Sequence, residues 1–140
     1  MDILVSCPIY PTEDILKVKR ALENIMGPQN ITTKKNGELS ELVFTSPNRE
    51  SLNLVRQAIH ESRIIDVARK RLQSNWNGTS TQIYFDKQAA FIGKLRIIDD
   101  STELPSLSAI EISVIFKDEN QFDEFLFWFT PPTKDGRVLN

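Results

Sequence analysis

Cysteine is almost missing from this chain. Cys7 stands alone among 140 residues, so no internal disulfide can form and no zinc site built on paired cysteines is available. Histidine is equally scarce. His60 has no second histidine to share a metal with, and no dyad spacing links it to Cys7. The five glycines are scattered singly, which removes any glycine-rich phosphate loop, and neither a nucleophile elbow nor a paired-acid signature is present. No apolar run approaches the roughly 18 residues that cross a bilayer. No basic segment precedes an apolar run at the amino end, as a secretory signal would require. Asn30-Ile31-Thr32 and Asn77-Gly78-Thr79 fit the glycosylation pattern but read as turn residues in that setting. The expectation is a cytoplasmic protein that is not an enzyme, with no cofactor, no metal and no membrane contact.

Charge of one sign is also lacking. Lys and Arg number 17 against 19 Asp and Glu, for a net charge of −2. A global basic field of the kind that draws nucleic acid is absent, so only a local patch could supply one.

What is present suits one α+β domain across residues 1–140. With 40% hydrophobic residues and 26% charged, a chain of this length can bury a core without staples. Residues 2–9 alternate, with Ile3, Val5, Cys7 and Ile9 on one side, and read as a half-buried strand. Thr12 is the expected N-cap of a helix through Ile15, Val18, Leu22 and Ile25, which Gly27-Pro28 stops. Residues 31–35 and 39–45 form a hairpin around Asn36-Gly37. Ser46-Pro47 opens the next helix. Helical patterns run through Leu52, Val55 and Ile59 and through Ile64, Ile65, Ala68 and Leu72, with a break expected near Ser62. Strands are expected over 81–85, 90–98 and 109–116, and a closing helix carries Phe122, Phe125, Leu126 and Phe129 up to Pro131-Pro132. The order is β-α-β-β-α-α-β-β-β-α, a largely antiparallel sheet with helices packed on one face. Residues 63–129 then run α-β-β-β-α.

Three basic groups stand out. Arg49, Arg56, Arg63 and Lys70 recur every seven residues, with Arg69 and Arg71 beside the last, and on a helix they share a stripe. Lys87, Lys94 and Arg96 follow a turn between strands, and Lys134 and Arg137 lie in the tail. A solvated face with local ion pairs is the commoner explanation of such runs. Asp99, Asp100 and Glu103 lack calcium-loop spacing and read as a solvated turn. Five aromatics between Phe122 and Phe129 cannot all face one side of a helix. Phe127 or Trp128 is therefore expected near the surface, more as a protein interface than as a base-stacking platform.

Several segments together resemble one family. They are Pro11-Thr12-Glu13-Asp14, Arg63-Ile64-Ile65-Asp66 with Ala68-Arg69, and Lys87-Gln88-Ala89-Ala90-Phe91 with Gly93-Lys94. Trp128 and Pro131-Pro132-Thr133-Lys134-Asp135-Gly136 complete the set. The pattern, in order along nearly the whole chain, resembles an archaeal family of predicted RNA-binding proteins with a double-stranded-RNA-binding-domain-like fold. The resemblance implies an archaeal cytoplasmic protein whose fold is similar to that of the ribosomal protein that binds 5S rRNA. One feature departs from such domains, which open the closing helix with lysines that span phosphates. Here that helix begins Asp118-Glu119-Asn120. RNA is then expected on another surface, made of Arg56, Arg63, Arg69 and Lys70 with Lys87, Lys94 and Lys134. The competing expectation is a protein–protein or homodimer module that uses a sheet edge or the closing helix.

Overall fold

The computed structural model describes residues 1–37, 39–98 and 109–139. Five strands form one antiparallel sheet in the order β2-β3-β1-β5-β4. They are β1 (Asp2–Ile9), β2 (Thr32–Asn36), β3 (Leu39–Ser46), β4 (Ser80–Asp86) and β5 (Ala109–Ile115). The alternation of β1 decides its orientation. Ile3, Val5, Cys7 and Ile9 are buried while Leu4 faces outward. Register extends that inner face across the sheet, with Phe44, Val5, Ile112 and Ile83 in one row. On the outer face Glu111 accepts hydrogen bonds from Ser6 Oγ at 3.4 Å and Tyr84 OH at 3.2 Å. Burial, and then the neighbouring Glu111 carboxylate, raise the Tyr84 phenol above its ordinary value. Burial pushes the Cys7 thiol up to about 12, which leaves it an inert core side chain.

Helices α1 (Ile15–Met26), α2 (Asn53–Glu61), α3 (Ile65–Ser74), α4 (Lys87–Phe91) and α5 (Glu119–Phe129) contribute their apolar residues to the same core. The cap of α1 is Asp14, whose carboxylate accepts from Leu16 N at 2.9 Å, and not the expected Thr12. A carboxylate at that end also complements the helix dipole. Gly27 ends α1 at φ +73°, and a Cβ there would lie 2.4 Å from Leu54 Cδ1. Ser46-Pro47 makes a turn in which Asn48 N donates to Ser46 Oγ. A 3₁₀ turn at Arg49–Leu52 then leads into α2. The break between α2 and α3 falls at Ser62–Ile64, as expected, with Arg63 in the left-handed region at φ 57°.

One expected strand does not form: a short helix, α4, takes its first two residues and the rest is turn and irregular chain. Residues 90–98 carry a strand-like apolar run, yet Asp86 caps α4 by accepting from Gln88 N at 3.1 Å, and the Lys-Gln-Ala-Ala segment is rich in helix formers. Only the end of the run reaches the sheet. Asp86 N donates to Arg96 O and Ile98 N donates to Tyr84 O, both at 2.9 Å, along the outer edge of β4. Over residues 63–129 the described order is therefore α3-β4-α4-β5-α5. The acidic segment Asp99, Asp100 and Glu103 lies outside the described residues. Asn77 does build a turn, its Oδ1 accepting from Thr79 N and Ser80 N. After α5, β6 (Thr133–Lys134) and β7 (Arg137–Val138) form a small hairpin. No helix among the described residues is long and apolar enough to cross a membrane.

Candidate nucleic-acid interface

The carboxyl end of α5 explains much of the basic stripe. A helix leaves its last four carbonyls without intrahelical partners, and burying them unpaired is costly. Here α2 and α3 supply the donors. Arg56 Nε donates to Trp128 O at 2.7 Å, and Arg69 Nε donates to Thr130 O at 3.1 Å. Arg69 also donates to Pro131 O, and His60 Nε2 lies 3.0 Å from Phe129 O. Cations at this end are favoured by the dipole as well. The other end is matched in the opposite sense, since Asp118 accepts from Gln121 N at 2.9 Å and Glu119 sits in the first turn.

Lys87 is likewise committed inside the fold. It is 1% exposed, and its Nζ donates to Pro8 O at 2.7 Å and to Glu13 Oε1 at 2.9 Å. Three of the seven expected RNA contacts, Arg56, Arg69 and Lys87, thus have internal partners. The sequence held no signal for this, because those partners lie 61 to 79 residues away along the chain.

Three of the remaining four, Arg63, Lys70 and Lys134, lie at the small hairpin together with Arg137. Asp135 and Gly136 take φ 54° and 77°, the two left-handed positions of a tight turn. A Cβ on Gly136 would lie 3.3 Å from the Arg63 Cβ, so the hairpin tip rests on the α2–α3 turn. Asp66 ties it down, its Oδ1 accepting from the Thr133 hydroxyl and, at 3.0 Å, from Arg69. The Thr133 bond foremost, with help from Arg69, holds the Asp66 carboxyl below its ordinary value. Lys134 pairs across the hairpin with Arg137. Lys70 lies one turn beyond Asp66 on the same stripe of α3. Arg63, Lys70, Lys134 and Arg137 are all exposed, and none has an ion-pair partner among the described residues. Lys94 is exposed on a different element, just after α4 where that helix packs on α1. The Asp135-Gly136 dipeptide is the one sequence signal that would have located this group.

Beside the hairpin, α5 carries a cleft of about 680 Å³ lined by Arg49, Arg56, Phe127, Trp128 and Val138 among others. Of the two aromatics expected near the surface, Phe127 is the exposed one, at 70% exposure, and Trp128 is half-buried. No group of three or more His, Cys, Asp or Glu side chains among the described residues is arranged to hold a metal.

A family model described as RNA binding matches residues 2–117. A UPF0201 protein of Sulfurisphaera tokodaii is 34% identical over 137 residues, which covers 98% of this chain and 92% of that one. A UPF0201 protein of Aeropyrum pernix is 32% identical, over 98% and 89% of the two chains. The crystal structure of a UPF0201 protein from Methanococcus jannaschii shares the fold with a TM-score of 0.79 at 27% identity, over the whole of both chains. The chain belongs to the archaeal UPF0201 family, whose family model is described as RNA binding.

Proposed function

We propose that this domain binds RNA through its phosphate backbone and does no chemistry on it. The observation that carries this reading is the gathering of Arg63, Lys70, Lys134 and Arg137 around a hairpin pinned by Asp66 and Gly136. Cations on short, anchored elements contact phosphates with little ordering cost. Membership of a family described as RNA binding supports the same reading. A protein of net charge −2 needs such a concentrated patch, since its overall field does not attract a polyanion. Pairing of copies through the edge strand β2 is disfavoured by Lys34 and Lys35, which guard that edge against another strand.

The test is binding of the protein to labelled structured RNA, single-stranded RNA and duplex DNA across a salt series. Four phosphate contacts predict an affinity that falls with salt at a logarithmic slope of about −3 to −4. Absence of binding at low salt would sink the reading.

A further inference from the structure

The cleft on α5 has a chemistry that the hairpin cations do not share. Its volume, about 680 Å³, lies within the range of sites that hold small ring systems. Phe127 stands 70% exposed on its wall, so its ring is available as a stacking surface. The neighbouring Trp128 is held in place. The Arg49 and Arg56 guanidiniums lie over its ring at 4.9 and 5.2 Å, and Arg56 Nε also bonds its carbonyl. Asp123 and Glu124 come from the preceding turn of α5 and line the same cleft. Neither forms an ion pair with the arginines among the described residues, so the two carboxylates and the Arg49 guanidinium stay open to a ligand while Arg56 braces Trp128.

Two cations and two anions cancel. A run of phosphates gains nothing from such a site, whereas a neutral flat ring with acceptors on one edge and donors on another is matched throughout. Among the four bases guanine has that pattern: O6 and N7 accept from a guanidinium, and the N1 and N2 hydrogens donate to carboxylates. The hairpin makes the cleft continuous with the cationic group, because Val138 lines the cleft and its strand pairs with the one bearing Lys134. We propose that the cleft is a subsite for one unpaired base of the bound RNA, guanine by its edge chemistry. The proposal rests on the RNA-binding reading above, yet the cleft can be probed separately from the phosphate contacts.

Two measurements do this. The first follows the Trp128 indole resonance, assigned with a Trp76→Phe variant, during titration with each of the four nucleoside monophosphates. A saturable shift is expected, strongest with GMP, lost in Phe127→Ala and retained in Arg63→Glu/Lys134→Glu. The second compares a blunt RNA duplex with one carrying a single unpaired guanosine at its end. The overhang is expected to tighten binding about tenfold, and Phe127→Ala to abolish that gain while blunt-duplex affinity stays unchanged. No shift with any nucleotide, or equal shifts with all four, overturns the proposal even where duplex RNA binds. A GMP shift in a protein that binds no duplex sinks the phosphate interface and leaves the base subsite standing. A change of oligomeric state in Phe127→Ala without a change in the GMP shift assigns the cleft to a second copy and overturns it.

Discussion

At the carboxyl end of α5, Arg56 and Arg69 meet backbone carbonyls, whereas at the adjoining hairpin Arg63, Lys70 and Lys134 meet solvent. Apart from Lys134, both groups come from the same stretch of chain, residues 56–70, and use the same residue types. What separates them is the neighbouring backbone. A helix end packed into the fold leaves carbonyls in need of donors, and a cation that reaches them is committed to stability. A closed hairpin has few acceptors left over, so the cations around it keep their charge available. Counting basic residues along a helix therefore overstates a binding face until the helix ends packed against it are known.

The contrast can be broken most severely at Lys87. Its replacement by alanine strips the ammonium from Pro8 O and leaves the Glu13 carboxylate without its ionic partner, with only Tyr10 N still donating to it. A loss of about 3 to 5 kcal/mol is expected, read from urea unfolding. Arg69→Ala comes next, at about 2 to 3 kcal/mol for a charged donor shared by two carbonyls. Arg56→Ala, which frees one carbonyl, costs less. Arg63→Gly is expected to leave stability within about 0.5 kcal/mol of wild type, because glycine takes the left-handed φ of 57° more readily than arginine. That variant removes a hairpin charge without loosening the fold, and RNA affinity should fall several-fold. The smallest effect is at acid pH. The Asp66 carboxyl is held below its ordinary 3.8, so its grip on Thr133 is complete above that value and is lost as the pH falls through the lowered one. Amide signals of the hairpin are expected to move there before those of the sheet, and Asp66→Asn should show the same change at neutral pH.

The parts of this picture that were legible in sequence are the locally determined ones. Alternation in β1, the stop at Gly27, the break near Ser62 and the Asn77 turn all follow from residues within a few positions of one another. That Phe127 or Trp128 would reach the surface followed from geometry, since one helix face has no room for five rings; the choice of Phe127 did not. Two local signals competed over residues 86–98, where the Asp86 cap and the Lys-Gln-Ala-Ala run outweighed a strand-like apolar pattern. The proposed interface was half legible. Arg63, Lys70 and Lys134 were singled out, but their convergence depends on a hairpin folding back onto α3. The commitment of Arg56, Arg69 and Lys87 depends on acceptors from the far end of the chain, and no spacing within one helix encodes that.

The central claim is that the hairpin cations bind RNA while the α5-capping cations hold the fold. It is tested most directly by measuring RNA affinity and unfolding free energy together for Arg63→Glu/Lys134→Glu and for Arg69→Ala. The first variant is predicted to lose at least about tenfold in affinity, with its salt slope reduced by about 2 and its stability nearly unchanged. The second is predicted to lose stability while its folded fraction binds as the wild type does. Unchanged affinity in the charge-reversed protein, or an equal loss of affinity in folded Arg69→Ala, would contradict this division of labour.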